Sequence, residues 1–335
     1  MEALSGRLLL VRMVLGFLAS LFIHVANAQH PVIDRLELAF AQGASDSVMV
    51  QLSRLLGATN TSRDLRFEAC MLMAECYYQR TSMENFAAWN DSAAAIIASE
   101  DNERWARVEV NRCRYANFFV KSAQAMHWGA TALARYHLAP DHAAWKYAYQ
   151  IYQALGTTYR NRPVEAHVVF AHFDTAQALL VRRPYTLPYW QAHLHKAISN
   201  AAMDRMRPGA SQREIYAEVC DREQRDALAI LREHHPRQVV EIGILQNLRG
   251  LYHIYADQPD SAWHWLRRSE ELVLASGPTD ALLTIWFSSL RWQTFLLDRP
   301  EHWSDIPLLQ RHLAKLQQAQ EHFTGFAAAR TQARG

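Results

Sequence analysis

From Arg63 onward, apolar residues return every three or four positions, and short polar breaks interrupt them at intervals of about 15 to 25 residues. The breaks fall at Thr81-Ser82, Ser99-Glu100-Asp101-Asn102, Ala139-Pro140-Asp141, Arg162-Pro163, Arg182-Arg183-Pro184, Arg207-Pro208-Gly209, His235-Pro236, Gln258-Pro259-Asp260, Ser276-Gly277-Pro278 and Arg299-Pro300. Proline stands in most of them, and it stops a helix because it lacks an N–H and its ring collides with the preceding turn. No stretch alternates with period two, so the pattern predicts helices and no strands. Upstream, Val32 to Phe40 and Val48 to Leu56 predict two more helices.

The helices repeat in pairs. Leu155-Gly156-Thr157-Thr158-Tyr159 and Ala74-Glu75-Cys76-Tyr77 each set a small residue three positions before a tyrosine, so a second helix can come close where the small residue sits. On the second helices, Ala125, Gly129 and Ala132 lie four and three apart, as do Ala166, Phe170 and Phe173, and Ala262, Leu266 and Ser269. That spacing keeps three residues on one helix face. Small positions at Ala74, Cys113, Gly156, Ala202 and Gly250 are 39, 43, 46 and 48 apart. The turn in the Leu155 unit reads two residues short. Around Gly250 two registers are open: Gly250 with His253 in the tyrosine position, or Tyr252 in place with a turn one residue longer.

These motifs resemble the tetratricopeptide (TPR) repeat over about residues 60 to 275. The spacing exceeds the usual period of about 34, which implies lengthened helices or inserted loops. The resemblance implies an all-α fold: a right-handed α-solenoid of helical hairpins, with residues 61–275 as repeats and capping helices at 29–60 and 276–325. In that family the ligand-facing positions lie on the first helix of each pair, one residue and four to five residues after the small position. Here those are Glu75, Tyr78 and Gln79, then Arg114 and Asn117, then Thr157, Arg160 and Asn161. The implied function is binding of a protein or peptide along a concave groove; solvated helix faces account for the same residues equally. The segments Asn247 to Ala262 and Asp226 to Pro236 also resemble exported bacterial repeat regions that precede a caspase-like CHAT domain. No residues follow Gly335 to supply that domain's His and Cys. A second reading is therefore the regulatory part of a peptidase or signalling protein whose effector is missing or separately encoded.

In the C-terminal pair, Leu282, Leu283, Trp286, Phe287, Leu290, Phe295 and Leu296 make one apolar helix, and Leu308, Leu309, Leu313 and Leu316 give the next an apolar face. A polar-backed pair of this kind suits the end of a solenoid. Residues 326–335 read as a frayed tail. At the other end, Met1 to Arg12 carries two arginines, Met13 to Val25 is apolar apart from Ser20 and His24, and Ala26-Asn27-Ala28 has the small-x-small form cut by signal peptidase. Residues 1–28 therefore predict an export signal, with Gln29 as the mature terminus in a periplasmic or secreted protein. The rival, an uncleaved anchor over Leu8 to Ala28, has Arg12 inside it. No later run reaches membrane-spanning length.

Composition narrows the chemistry. Thirty-five Lys+Arg against 33 Asp+Glu leave a net charge of +2, too balanced for a broad nucleic-acid footprint. Half the residues are hydrophobic and only 12 are glycine, which favours ordered packed helices. There is no His-Glu-x-x-His, Cys-x-x-Cys, Gly-x-Ser-x-Gly or glycine-rich phosphate loop, so the expectation is no catalysis, no cofactor and no metal. His193 and His195 point to opposite sides of a helix, and His234 and His235 read as helix-end residues. Cys70, Cys76, Cys113 and Cys220 read as buried hydrophobes, with a Cys76–Cys113 disulfide as the alternative; Cys113 and Cys220 fall mid-helix, where a thiol is not activated. Trp190 with Tyr185 and Tyr189 predicts an exposed aromatic patch. Arginine outnumbers lysine 31 to 4, which suits two-point grip of carboxylates or chain ends.

Overall fold

The computed structural model describes residues 30–332 except 140–144, 163, 182–186, 207–211, 278, 299–301 and 303. The predicted export signal, Tyr185, Trp303 and several of the proline breaks lie outside the described residues. Among those described, the chain is all helix: α1 (Pro31–Ala41), α2 (Ser45–Gly57), α3 (Arg63–Gln79), α4 (Met83–Ala94), α5 (Asn102–Phe118), α6 (Ser122–Leu138), α7 (Ala148–Arg160), α8 (Ala166–Val181), α9 (Pro188–Asp204), α10 (Arg213–His234), α11 (Val239–Tyr255), α12 (Pro259–Ser276), α13 (Asp280–Leu297) and α14 (Ile306–Gln332). Side-chain oxygens take up orphan N–H groups at four described helix starts: Ser62 from Leu65 (3.2 Å), Asp101 from Arg104 (3.1 Å), Thr279 from Leu282 (3.3 Å) and Asp305 from Leu308 (3.0 Å). Pro31, Pro188 and Pro259 begin α1, α9 and α12, where a missing N–H costs nothing.

Four hairpins close with the same turn. Gly43, Thr81, Val120 and Asp257 take left-handed φ values of 88°, 56°, 55° and 55°. The following N–H then reaches back five residues: Ala44 to Ala39 O (3.0 Å), Ser82 to Tyr77 O (3.0 Å), Lys121 to Ala116 O (2.8 Å) and Gln258 to His253 O (2.9 Å). The turn at Val120 has neither proline nor glycine, and the polar-break pattern did not mark it.

Inside the five hairpins from α3–α4 to α11–α12, a small residue of the first helix meets a buried triple on the second. The triples are Phe86, Asn90 and Ala93; Ala125, Gly129 and Ala132; and Ala262, Leu266 and Ser269, all buried. In the α7–α8 hairpin the triple is Val169, Phe173 and Ala176, not Ala166, Phe170 and Phe173. The connection over 161–165 is longer there, not shorter, so the contact slides along α8. Phe173 lies where a Cβ on Gly156 would fall, 2.8 Å away. Cys220, Gln224 and Ala227 complete the set on α10, after a long connection that hid them from the sequence pattern. Gly250 meets Leu266 and Ala262, which settles the register in favour of Gly250 as the small residue.

The hairpins stack in order, as a solenoid-like array: first helices pack on neighbouring first helices, and each second helix leans on the following first helix. The row of first helices also curls back on itself. Glu37 on α1 accepts from Lys146 Nζ (2.7 Å), Tyr147 OH (3.2 Å) and Trp190 Nε1 (3.0 Å), and the Phe40 ring packs on Tyr189 and Trp190 at 5.5 and 6.4 Å. Gln238 Nε2 donates to the carbonyls of Phe40 (2.6 Å) and Ala41 (3.0 Å), the last of α1. Thus α1 does more than cap an end, because it is clasped by the residues leading into α7, by α9 and by the residue before α11. It also covers Tyr189 and Trp190, which are 0% and 7% exposed, so the expected exposed aromatic patch is corrected to a buried joint.

At the other end, α13 buries Leu282, Leu283, Trp286, Leu290 and Leu296 but leaves Phe287 and Phe295 exposed. The inward face of α14 carries His312, Leu316 and Ala319, while Leu313 faces solvent. The helix continues to Gln332, through residues expected to fray.

Candidate functional site

The row of first helices leaves a cleft of about 330 Å³ across α5, α7 and α9, with Tyr78 of α3 at one side. Six of the eight sequence-predicted positions line it: Tyr78, Arg114, Asn117, Thr157, Arg160 and Asn161. Glu75 and Gln79 do not. Glu75 is buried behind Arg114 and accepts two hydrogen bonds from its guanidinium, at 2.7 and 2.9 Å. Gln79 is a joint: it accepts from Ser45 Oγ (2.7 Å) and donates toward Tyr189 OH (3.5 Å) and Gln238.

Arg114, Asn117, Thr157 and Arg160 are each held by a neighbour. Arg114 lies over the Tyr78 ring, its Cζ 3.9 Å from the ring centre. Burial works against its charge, but Glu75 overrides this and holds its pKa above the ordinary arginine value. Asn117 Nδ2 donates to Thr158 Oγ1 (3.0 Å) and Ala154 O (3.2 Å), fixing α5 to α7. Thr157 bonds back to Gln153 O (3.0 Å), and Arg160 Nε pairs with Asp204 (2.6 Å).

Sequence reasoning missed Gln150 and Gln153 on α7, and His193, Lys196 and Asn200 on α9. Gln150 and Gln153 sit one to two turns earlier on α7, and Asn200, Lys196 and His193 about one to three turns earlier on α9, than the offsets of the repeat pattern. The pattern ran out at α9 because the positions after Ala202 fall past the cleft, while its earlier turns face it. Lys196 pairs with the buried Glu241, which also faces His193 at 3.3 Å. Burial keeps His193 below its usual pKa, against the pull of Glu241, so the ring is neutral at pH 7 and Lys196 carries the pairing. His195 turns the other way, to Glu223 (2.6 Å), as its spacing from His193 required. The carboxylates nearest the cleft, Glu75, Asp204 and Glu241, are therefore all engaged by cations that line it, and amide and guanidinium donors form the wall.

All four cysteines are free and buried. Burial pushes the thiols of Cys70 and Cys113 up to about 11 and those of Cys76 and Cys220 to about 12, the reverse of an activated nucleophile. Cys113 lies against Thr158 Oγ1 at 3.4 Å rather than against Cys76. Among the described residues no cluster of His, Cys, Asp and Glu is arranged to hold a metal ion, and no helix is long and apolar enough to cross a membrane. No protein-family model matches the chain, and no curated protein matches it.

Proposed function

We propose that this chain is an exported, non-catalytic scaffold of the tetratricopeptide type that holds an extended polypeptide segment in the cleft across α5, α7 and α9. The observation that carries this reading is the wall itself: the side chains of Gln153, Asn161 and Asn200 line one cleft with Arg114, Arg160 and Lys196. An extended segment offers N–H and C=O groups in alternation, and a primary amide can serve both, whereas a row of cations alone would select anions. Tyr78, Phe118 and Val120 add apolar surface for side chains of the bound segment. The signal-like residues 1–28 and the small-x-small site at Ala26 to Ala28 support export.

Arg114 is the wrong residue to test this with, because its loss strands Glu75 in the interior, at a cost of about 3–5 kcal/mol. Gln153→Ala, Asn161→Ala and Asn200→Ala, combined, remove three cleft amides without breaking an ion pair. On a peptide array screened with the full chain, the triple variant is expected to lose about tenfold or more in affinity, about 1.4 kcal/mol, for peptides the wild type retains. Its melting temperature should stay close to the wild-type value. Undiminished binding by the triple variant removes the cleft from the claim.

A further inference from the structure

A second polar cluster stands apart from the cleft, on α10, α11 and α12. Its floor is built from the repeat. Arg249, one residue before the small position Gly250, lies 5.0 Å from the centre of the Trp265 ring on α12. An equivalent pair occurs three hairpins earlier, where Arg112, one residue before Cys113, lies 4.8 Å from Trp128. There the charge is balanced simply, with Asp91 pairing Arg112 at 3.4 Å.

Around Trp265 the balance fails. Arg232 of α10 and Arg268 of α12 also approach the ring, each at 5.8 Å from its centre. Asp221 is the carboxylate of this group, and both its oxygens are in use: one accepts from Arg249 (3.0 Å) and the other from Arg225 (3.0 Å). Among the described residues no carboxylate pairs with Arg232 or Arg268. Arg225 and Arg249 thus divide Asp221 between them, and the two other arginines at the ring are left without a share of it. Arg249 is 6% exposed and its buried Nε–H has no acceptor, so the deficit reaches the interior end of the cluster. The arginines sense one another: burial, then Arg268, then Arg249 hold the Arg232 pKa below its ordinary value. The indole face offsets part of this repulsion but carries no net charge.

We propose that Arg232, Arg249 and Arg268, gathered around Trp265, form a binding site for a phosphate-type tetrahedral dianion. One carboxylate would leave most of the excess charge in place; a dianion neutralises more of it and offers several oxygens to guanidinium forks. Arg232 on α10 and Arg268 on α12 are exposed and can both reach such a group, while the buried Arg249 adds fixed charge beside the same ring. The dianion is either free phosphate or the phosphoryl group of a modified peptide.

The full chain is melted in inorganic phosphate and in chloride at matched pH and ionic strength, as wild type, as Arg232→Gln with Arg268→Gln, and as Arg112→Gln. Phosphate should raise the midpoint of the wild type and of Arg112→Gln above the chloride value, and should not raise that of the double variant. In chloride the double variant, relieved of like-charge repulsion, should keep its midpoint. Calorimetric titration should show a loss of about tenfold or more in phosphate affinity for the double variant. Repeating the titration with a phosphoserine peptide separates the sources: tighter binding than inorganic phosphate assigns a modified partner, and equal or weaker binding assigns the free ion. No rise over chloride in the wild type, or an equal rise in the double variant, overturns the site.

Discussion

Single residues in this protein are dominated by charges taken out of water and paired across the hairpins. Glu68 with Arg107, Glu75 with Arg114, and Glu241 with Lys196 each join neighbouring first helices. Such pairs hold the row in register at a high desolvation cost, so their protonation matters to stability. The histidines give the testable case. Burial lowers the pKa of His172, His193, His235, His253 and His312 from the usual 6.5. The unfolded chain therefore binds more protons than the folded one as pH falls through 6.5, and stability drops in that direction. Glu241 does not obscure this window. Burial tends to raise its pKa, but His193 and Lys196 hold it below 4.5, so its own contribution is lost only under more acidic conditions. Urea unfolding followed from pH 7.5 to 5.5 should show falling stability, with a shallower slope for His193→Gln. A flat profile in the wild type would mean that these rings are solvated.

At the scale of the element, the repeated unit is a hairpin whose turn demands one left-handed residue. Glycine meets that demand without strain at Gly43, but the α5–α6 turn uses Val120, whose branched Cβ opposes a φ of 55°. Val120→Gly should therefore stabilise the chain by about 1 kcal/mol, read as a higher midpoint in chemical denaturation; the flexibility that glycine adds to the unfolded chain sets the upper limit. A drop in stability would show that the valine side chain earns its place through contacts at the cleft margin. The same turn shows where sequence reading stops. Helices bounded by proline, such as α12 after Gln258, were legible because proline acts locally. The break at Val120 was not, because nothing in Phe119-Val120-Lys121 disfavours a helix until the chain must reverse. The cleft divides in the same way. Arg114, Asn117, Thr157, Arg160 and Asn161 follow from a fixed offset to small residues, whereas His193, Lys196 and Asn200 depend on which turn of α9 faces α7. That is a property of packing between hairpins, outside the reach of spacing within one.

For the whole molecule, the governing feature is that the row of first helices returns to its own beginning. The apolar pattern of α1 declares that Ile33, Leu36 and Phe40 must be buried, but it cannot say against what, and the partners lie some 110 to 200 residues away. Gly43 marks the closure. It sits at φ 88°, and a Cβ there would come within 2.5 Å of the Arg237 carbonyl oxygen and 2.8 Å of its carbon. These are backbone atoms just before α11, fixed in turn by the bonds from Gln238 to Phe40 and Ala41, so they have little freedom to retreat. Gly43→Ala therefore combines a strained backbone with a steric clash, and is expected to cost about 2–4 kcal/mol. Gly57→Ala, at the end of α2 with open space around it, provides the contrast and should change stability by less than about 1 kcal/mol. If α1 closes the array, hydrogen exchange in Gly43→Ala should quicken in α1 and also in α9 and the start of α11, far along the chain. Exchange confined to α1 and α2 would mean that the first hairpin is an appendage and that the remaining hairpins hold their curvature without it.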